Sequence, residues 1–148
     1  MFMLSFFIGL TYIYIMHVEG TDTSKKLYNQ LFHPRSFYIH FSCAMVLAAT
    51  GLYLMLHDRQ EAGCFLTPFI YILLIRFSDW AVRIRLNRHI LLAVKYDKRP
   101  DAYKWWLDGL LSFFLLVLPV LLGVLLQIQI RKNIQIIIRG TTKIDVVQ

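Results

Sequence analysis

The sequence predicts an all-α integral membrane protein with four transmembrane helices and an amphipathic cytoplasmic helical extension. Three observations carry that reading. First, 57% of the 148 residues are hydrophobic and only 17% are charged, against roughly 45–50% and about 25% in an average soluble domain. Second, the apolar excess is collected into runs long enough to enter a bilayer, and a soluble core of this size could not hide them all. Third, the aromatic share is high, 15% of the chain, and several Tyr and Trp sit at the ends of those runs, where they anchor at the headgroup level.

The net charge is +7. On a soluble domain that balance would suggest nucleic acid. Here the basic residues flank apolar segments, so orientation and anionic lipid headgroups account for it, and nucleic acid is not expected as a partner. The chain reads as a single membrane domain, with spans near residues 1–18, 37–56, 62–82 and 108–130 and a short tail over 131–148. No internal repeat or low-complexity segment interrupts it.

Residues 1–18 are apolar apart from Ser5, Thr11, Tyr12 and Tyr14 before His17. A signal peptide would show Lys or Arg before the run and small residues at a cleavage site. Neither is present, so the first span is predicted here. Residues 19–36 form a polar loop in which Leu27, Tyr28, Leu31 and Phe32 lie at helical spacing. A short interfacial helix is expected there, ended by Pro34.

Residues 37–56 carry no formal charge unless His40 is protonated. Twenty residues at 1.5 Å each give about 30 Å, one hydrocarbon core. Ala44, Ala48, Ala49 and Gly51 would let a neighbouring backbone approach. The polar turn that follows, from His57 to Gly63, implies an antiparallel hairpin with the next span.

The third span is the difficult one. From Cys64 to Ile75 there are about 18 Å of apolar helix, too short to cross. Extending to Val82 supplies the length but takes in Arg76 and Asp79. Snorkelling of Arg76 and anchoring by Trp80 make the full span the first reading, with a re-entrant segment as the alternative. Between Trp80 and Val94 no Gly or Pro intervenes, so the helix is expected to continue into the cytoplasmic interface until Pro100 stops it.

Tyr103, Trp105 and Trp106 form an aromatic belt before the last span. Asp108 suits the positive end of that helix. Pro119 is expected to kink the helix, with Gly123 one turn later admitting a neighbour. Beyond Arg131, Ile134, Ile136 and Ile138 alternate with Gln135, Ile137 and Arg139, which fits a strand. A helix continued to Arg139 and stopped at Gly140 fits as well. Eleven Lys and Arg lie in the first loop and in the stretch from Arg76 to Leu107, and five in the second loop and the tail. The positive-inside rule therefore places the first and third connections in the cytoplasm.

One polar constellation stands out. Arg76, Asp79, Arg83 and Asn87 are spaced i, i+3, i+7 and i+11, within roughly 80° of one another on a helix face. Asp79 is expected to bridge Arg76 and Arg83. The face reads as a snorkelling interfacial surface, as a docking site for a partner helix or an anionic headgroup, or as the lining of a conduit. His17 and His40 fall near the cytoplasmic ends of the first two helices. Two facing imidazoles could ligate haem, but two histidines alone do not carry a cofactor, and none is expected.

Cys43 and Cys64 fall toward opposite faces, and no metal-ligand spacing exists. No catalytic motif is present, so the chain is expected to be non-catalytic. The leading expectation is an accessory or assembly subunit of a larger membrane complex, acting through helix and lipid contacts. The alternatives are an immunity-type protective protein against a membrane-targeting toxin and a small transporter or channel subunit.

Overall fold

Four helices account for most of the chain. The computed structural model describes residues 2–18, 27–57, 62–93 and 101–144. Helix α1 spans Phe2–Ile13 and runs into a widened π turn at Tyr14–Val18. A 3-10 turn at Leu27–Phe32 leads to α2, Pro34–His57. A second 3-10 turn at Gly63–Leu66 starts α3, Thr67–Leu86. A π turn at Trp105–Gly109 opens α4, Leu110–Ile144. The described residues contain no strand.

Three stretches are long and apolar enough to cross a membrane: Pro34–His57, Gly63–Leu86 and Trp105–Asn133. The apolar stretch of α1, Met3–His17, is shorter. Pro34 stands at the head of α2, where its missing N–H costs nothing and its fixed φ suits a helix start. Pro119 lies inside α4 without ending it.

The helices meet at the 62–67 turn, which contacts α1, α2 and α4 together. A glycine from each neighbour makes this approach possible. A Cβ on Gly9 would lie 3.0 Å from the Cys64 carbonyl oxygen, and one on Gly51 would lie 2.8 Å from the Phe65 Cβ. Gly63 and Gly123 face each other: a Cβ on Gly63 would come within 2.6 Å of the Gly123 carbonyl and 2.5 Å of the Gln127 Cβ. The Gly63 N–H donates to Gln127 Oε1 at 2.9 Å. Helices in lipid gain little from apolar transfer between them, so close backbone packing of this kind is what holds them.

The opposite end is organised by the chain between α3 and α4. Helix α3 stops at Leu86, and Asn87 takes a left-handed conformation (φ 49°, ψ 34°) with its N–H on the Arg83 carbonyl. Residues 88–93 are not helical. The expected helical extension to Val94 is therefore wrong. Ile90 and Leu92 are fully buried while His89 is exposed, so this stretch turns inward as a non-helical strap. A helix along the interface could not bury Ile90 and Leu92, two residues apart, on one side.

The tail is also corrected in part. Helix α4 runs on through Arg139 and Gly140 to Ile144, so the strand reading fails and Gly140 is not a stop. The residues 58–61 and 94–100, which contain most of the second-loop turn and the Pro100 stop, lie outside the described residues.

Candidate functional site

The site is the polar end of the bundle, where the 87–93 strap meets α3, the start of α4 and the 3-10 turn at Leu27–Phe32. A non-helical strap among helices has neither helix nor sheet to satisfy its backbone, and each buried orphan N–H would cost about 1–3 kcal/mol. Here four consecutive N–H groups find four different side chains. Ile90 donates to Asp79 Oδ1 at 3.0 Å and Leu91 to Asp108 Oδ1 at 3.4 Å. Leu92 donates to the Tyr28 hydroxyl at 3.0 Å and Ala93 to Ser112 Oγ at 3.1 Å.

Two buried carboxylates anchor the strap. Asp108 is fully buried and receives both guanidinium nitrogens of Arg88, at 2.6 and 3.1 Å. It also accepts from the Lys104 N–H at 2.8 Å, reaching back one turn in the manner of a capping box. Such a bidentate charged pair is geometrically specific. Asp108 was expected as a helix-dipole residue; its partner Arg88, twenty positions earlier in the chain, was not legible from spacing.

Asp79 corrects a second expectation. Its carboxylate does not bridge Arg76 and Arg83. Only 3% exposed, it lies 3.0 and 3.1 Å from His89 Nδ1 and accepts the Ile90 N–H. Opposite a carboxylate acceptor, Nδ1 is the nitrogen that carries the proton. The His89 ring stacks on Phe32, with centroids 4.6 Å apart. His89 was missed in the sequence, where it stood alone. The signal that could have found it is Asn87, a residue suited to the left-handed position that ends a helix and turns the chain back along α3.

With Asp79 withdrawn, Arg76 and Arg83 stand on an exposed face. Arg76 Nη1 reaches the Leu31 carbonyl at 3.4 Å, and its guanidinium carbon lies 4.8 Å from the Phe37 ring centroid. Arg76, Asp79, Trp80, Arg83, Ile84 and Asn87 together line an open cleft of about 470 Å³. The four residues singled out in the sequence thus share one face and one cleft, although the ion pairing expected among them is absent. Arg85 lies by a separate, mostly apolar hollow shared with Leu107 and Leu111.

His17 and His40 are not brought face to face. His40 packs against Tyr12 and His17 against Tyr71, and the two tyrosines pack edge to face at 6.0 Å. Two tyrosine rings therefore connect the histidines. The Tyr12 and Tyr71 hydroxyls are buried with no hydrogen-bond partner among the described residues. Among the described residues, no three His, Cys, Asp or Glu side chains come together as a metal set. Cys43 is exposed and Cys64 buried, both as free thiols.

Comparison with protein-family models, with curated proteins and with solved structures gave no match.

Proposed function

We propose that this chain is a non-catalytic accessory or assembly subunit of a larger membrane complex. It crosses the bilayer four times, α1 with its π turn supplying the fourth span. The strap end faces the cytoplasm. Contacts between the 87–93 strap and the 3-10 turn at Leu27–Phe32 support one shared side for the first and third connections, the two that carry most of the basic residues.

The observation that carries the reading is the length of α4. Its 35 residues extend about 52 Å at 1.5 Å per residue, while the 20 residues of α3 extend about 30 Å. Ile130 still packs on the core cluster around Ala62 and Phe65. The fourteen residues after it run on to Ile144. In the sequence of that stretch Ile134, Ile137 and Ile138 follow Ile130 at spacings of four, seven and eight, the apolar period of a helix. An apolar pattern of that period on a helix longer than its own bundle needs is suited to a groove on a partner.

The test compares the full chain with a chain ending at Asn133, each purified from native membranes in mild detergent. The full chain is expected to retain a stoichiometric membrane partner that the shortened chain, equally monodisperse, does not. A full chain that purifies as a monomer with nothing attached would overturn the proposal.

A further inference from the structure

We infer that the cleft on the exposed face of α3 is a binding site for the headgroup of an anionic phospholipid, held by Arg76 and Arg83. The inference rests on the membrane reading above and adds a ligand to it. It starts from the charge balance. Arg76 and Arg83 are two turns apart, about 10.5 Å along the axis, and both are exposed. The single carboxylate between them is buried and engaged by His89 and the Ile90 N–H. The strap therefore takes up the carboxylate oxygens that would otherwise pair directly with the two cations. What remains at the cleft is two guanidiniums and the Asn87 amide, against one shielded carboxylate.

The geometry then favours a lipid over a free anion. Arg76 is already positioned by the Leu31 carbonyl and the Phe37 ring, so little freedom is lost on binding. The other wall of the cleft is apolar: Trp80 is 59% and Ile84 66% exposed. A free phosphate gains nothing from that wall. A phospholipid presents its phosphate to the guanidiniums and its glycerol and upper acyl chain to Trp80, which lies on the bilayer side of Arg83. Trp prefers this depth in a bilayer, and guanidinium suits bidentate recognition of phosphate oxygens. The cleft also lies at the end of the bundle that carries the excess of Lys and Arg, the side on which anionic lipids concentrate.

The experiment uses the full chain with Trp105→Phe and Trp106→Phe, leaving Trp80 as the only indole. It is reconstituted into phosphatidylcholine vesicles containing a small fraction of either bromine-labelled phosphatidylglycerol or bromine-labelled phosphatidylcholine. Bromine on the upper acyl chain quenches Trp80 on contact. The expected result is preferential quenching by the anionic lipid, falling about tenfold for each guanidinium removed in Arg76→Gln and Arg83→Gln, the loss of a charge-assisted hydrogen bond.

Arg85→Gln, which removes the same charge from the neighbouring hollow, is expected to keep the preference. Equal quenching by both lipids in the parent chain would overturn the inference. So would an equal loss in Arg85→Gln, which would reduce the effect to general surface attraction. Loss of the preference on adding inorganic phosphate at constant ionic strength would assign the cleft to a free anion and overturn the lipid. Arg83→Gln decides the matter if Arg76→Gln disturbs the Leu31 contact. None of these readouts depends on a protein partner, so failure here and failure of the subunit reading are separate events.

Discussion

The two ends of the bundle are built on opposite principles. At the 62–67 turn, backbones approach because side chains are missing: Gly9, Gly51, Gly63 and Gly123 each leave room for a neighbour. At the 87–93 strap, the backbone is held because polar side chains are supplied: Asp79, Asp108, Tyr28 and Ser112 each take one N–H. The contrast teaches where each device is useful. Between regular helices every backbone group is already paired within its own helix, so beyond the one Gly63 N–H that Gln127 accepts the glycine end has shape to match. A non-helical strap brings unpaired N–H groups into the protein, so it must come with its own acceptors.

If that contrast is right, the strap should be most sensitive to losing a polar group and the glycine end to gaining an apolar one. The largest effect is expected from Asp108→Ala, which leaves the Arg88 guanidinium and the Lys104 and Leu91 N–H groups without their acceptor. Breaking a buried charged pair from one side costs about 3–5 kcal/mol. Unfolding in increasing SDS, followed by tryptophan fluorescence, measures it. A loss of under about 1 kcal/mol would mean that the pair behaves as an exposed one and that the strap is not anchored by it.

Next comes Gly63→Ala. Its Cβ would meet the Gln127 Cβ at 2.5 Å and the Gly123 carbonyl at 2.6 Å, and backbone atoms cannot swing aside. Overpacking of this kind costs about 1–3 kcal/mol, and the upper end is expected here. The same SDS titration reads it, and a neutral result would show that α4 can slide away from the 62–67 turn at no cost.

The smallest effect is expected from Tyr28→Phe. It removes one acceptor, that of the Leu92 N–H, and keeps the ring. A loss of about 1–2 kcal/mol should be accompanied by faster hydrogen exchange at Leu92, with little change at the amides of α1. Unchanged exchange at Leu92 would show that the hydroxyl does not hold the strap.

Helices and their order were legible in the sequence because apolar runs of bilayer length leave few alternatives once water is excluded. So was the shared face of Arg76, Asp79, Arg83 and Asn87, since helical spacing alone places residues three, four and seven apart on one side. The pairing within that face was not. Spacing offered Asp79 two arginines on its own helix, and the fold gave it His89 and the Ile90 N–H from a strap that doubles back along α3. An isolated helix has no such competitor, which is why local reasoning chose the wrong partner.

The strap itself shows the same division. Residues 88–93 contain no Gly or Pro, and their composition is compatible with a helix. What makes them non-helical is Asn87 in the left-handed conformation, together with acceptors contributed by residues 28, 79, 108 and 112. None of those four is a neighbour of the strap in sequence, and only their convergence allows a non-helical backbone to be buried. By itself the sequence determined a helical membrane protein, its polar face and its basic end. The tertiary structure alone decided which carboxylate is spent on the strap and which cations are left exposed, because that depends on groups up to 64 residues apart meeting in space.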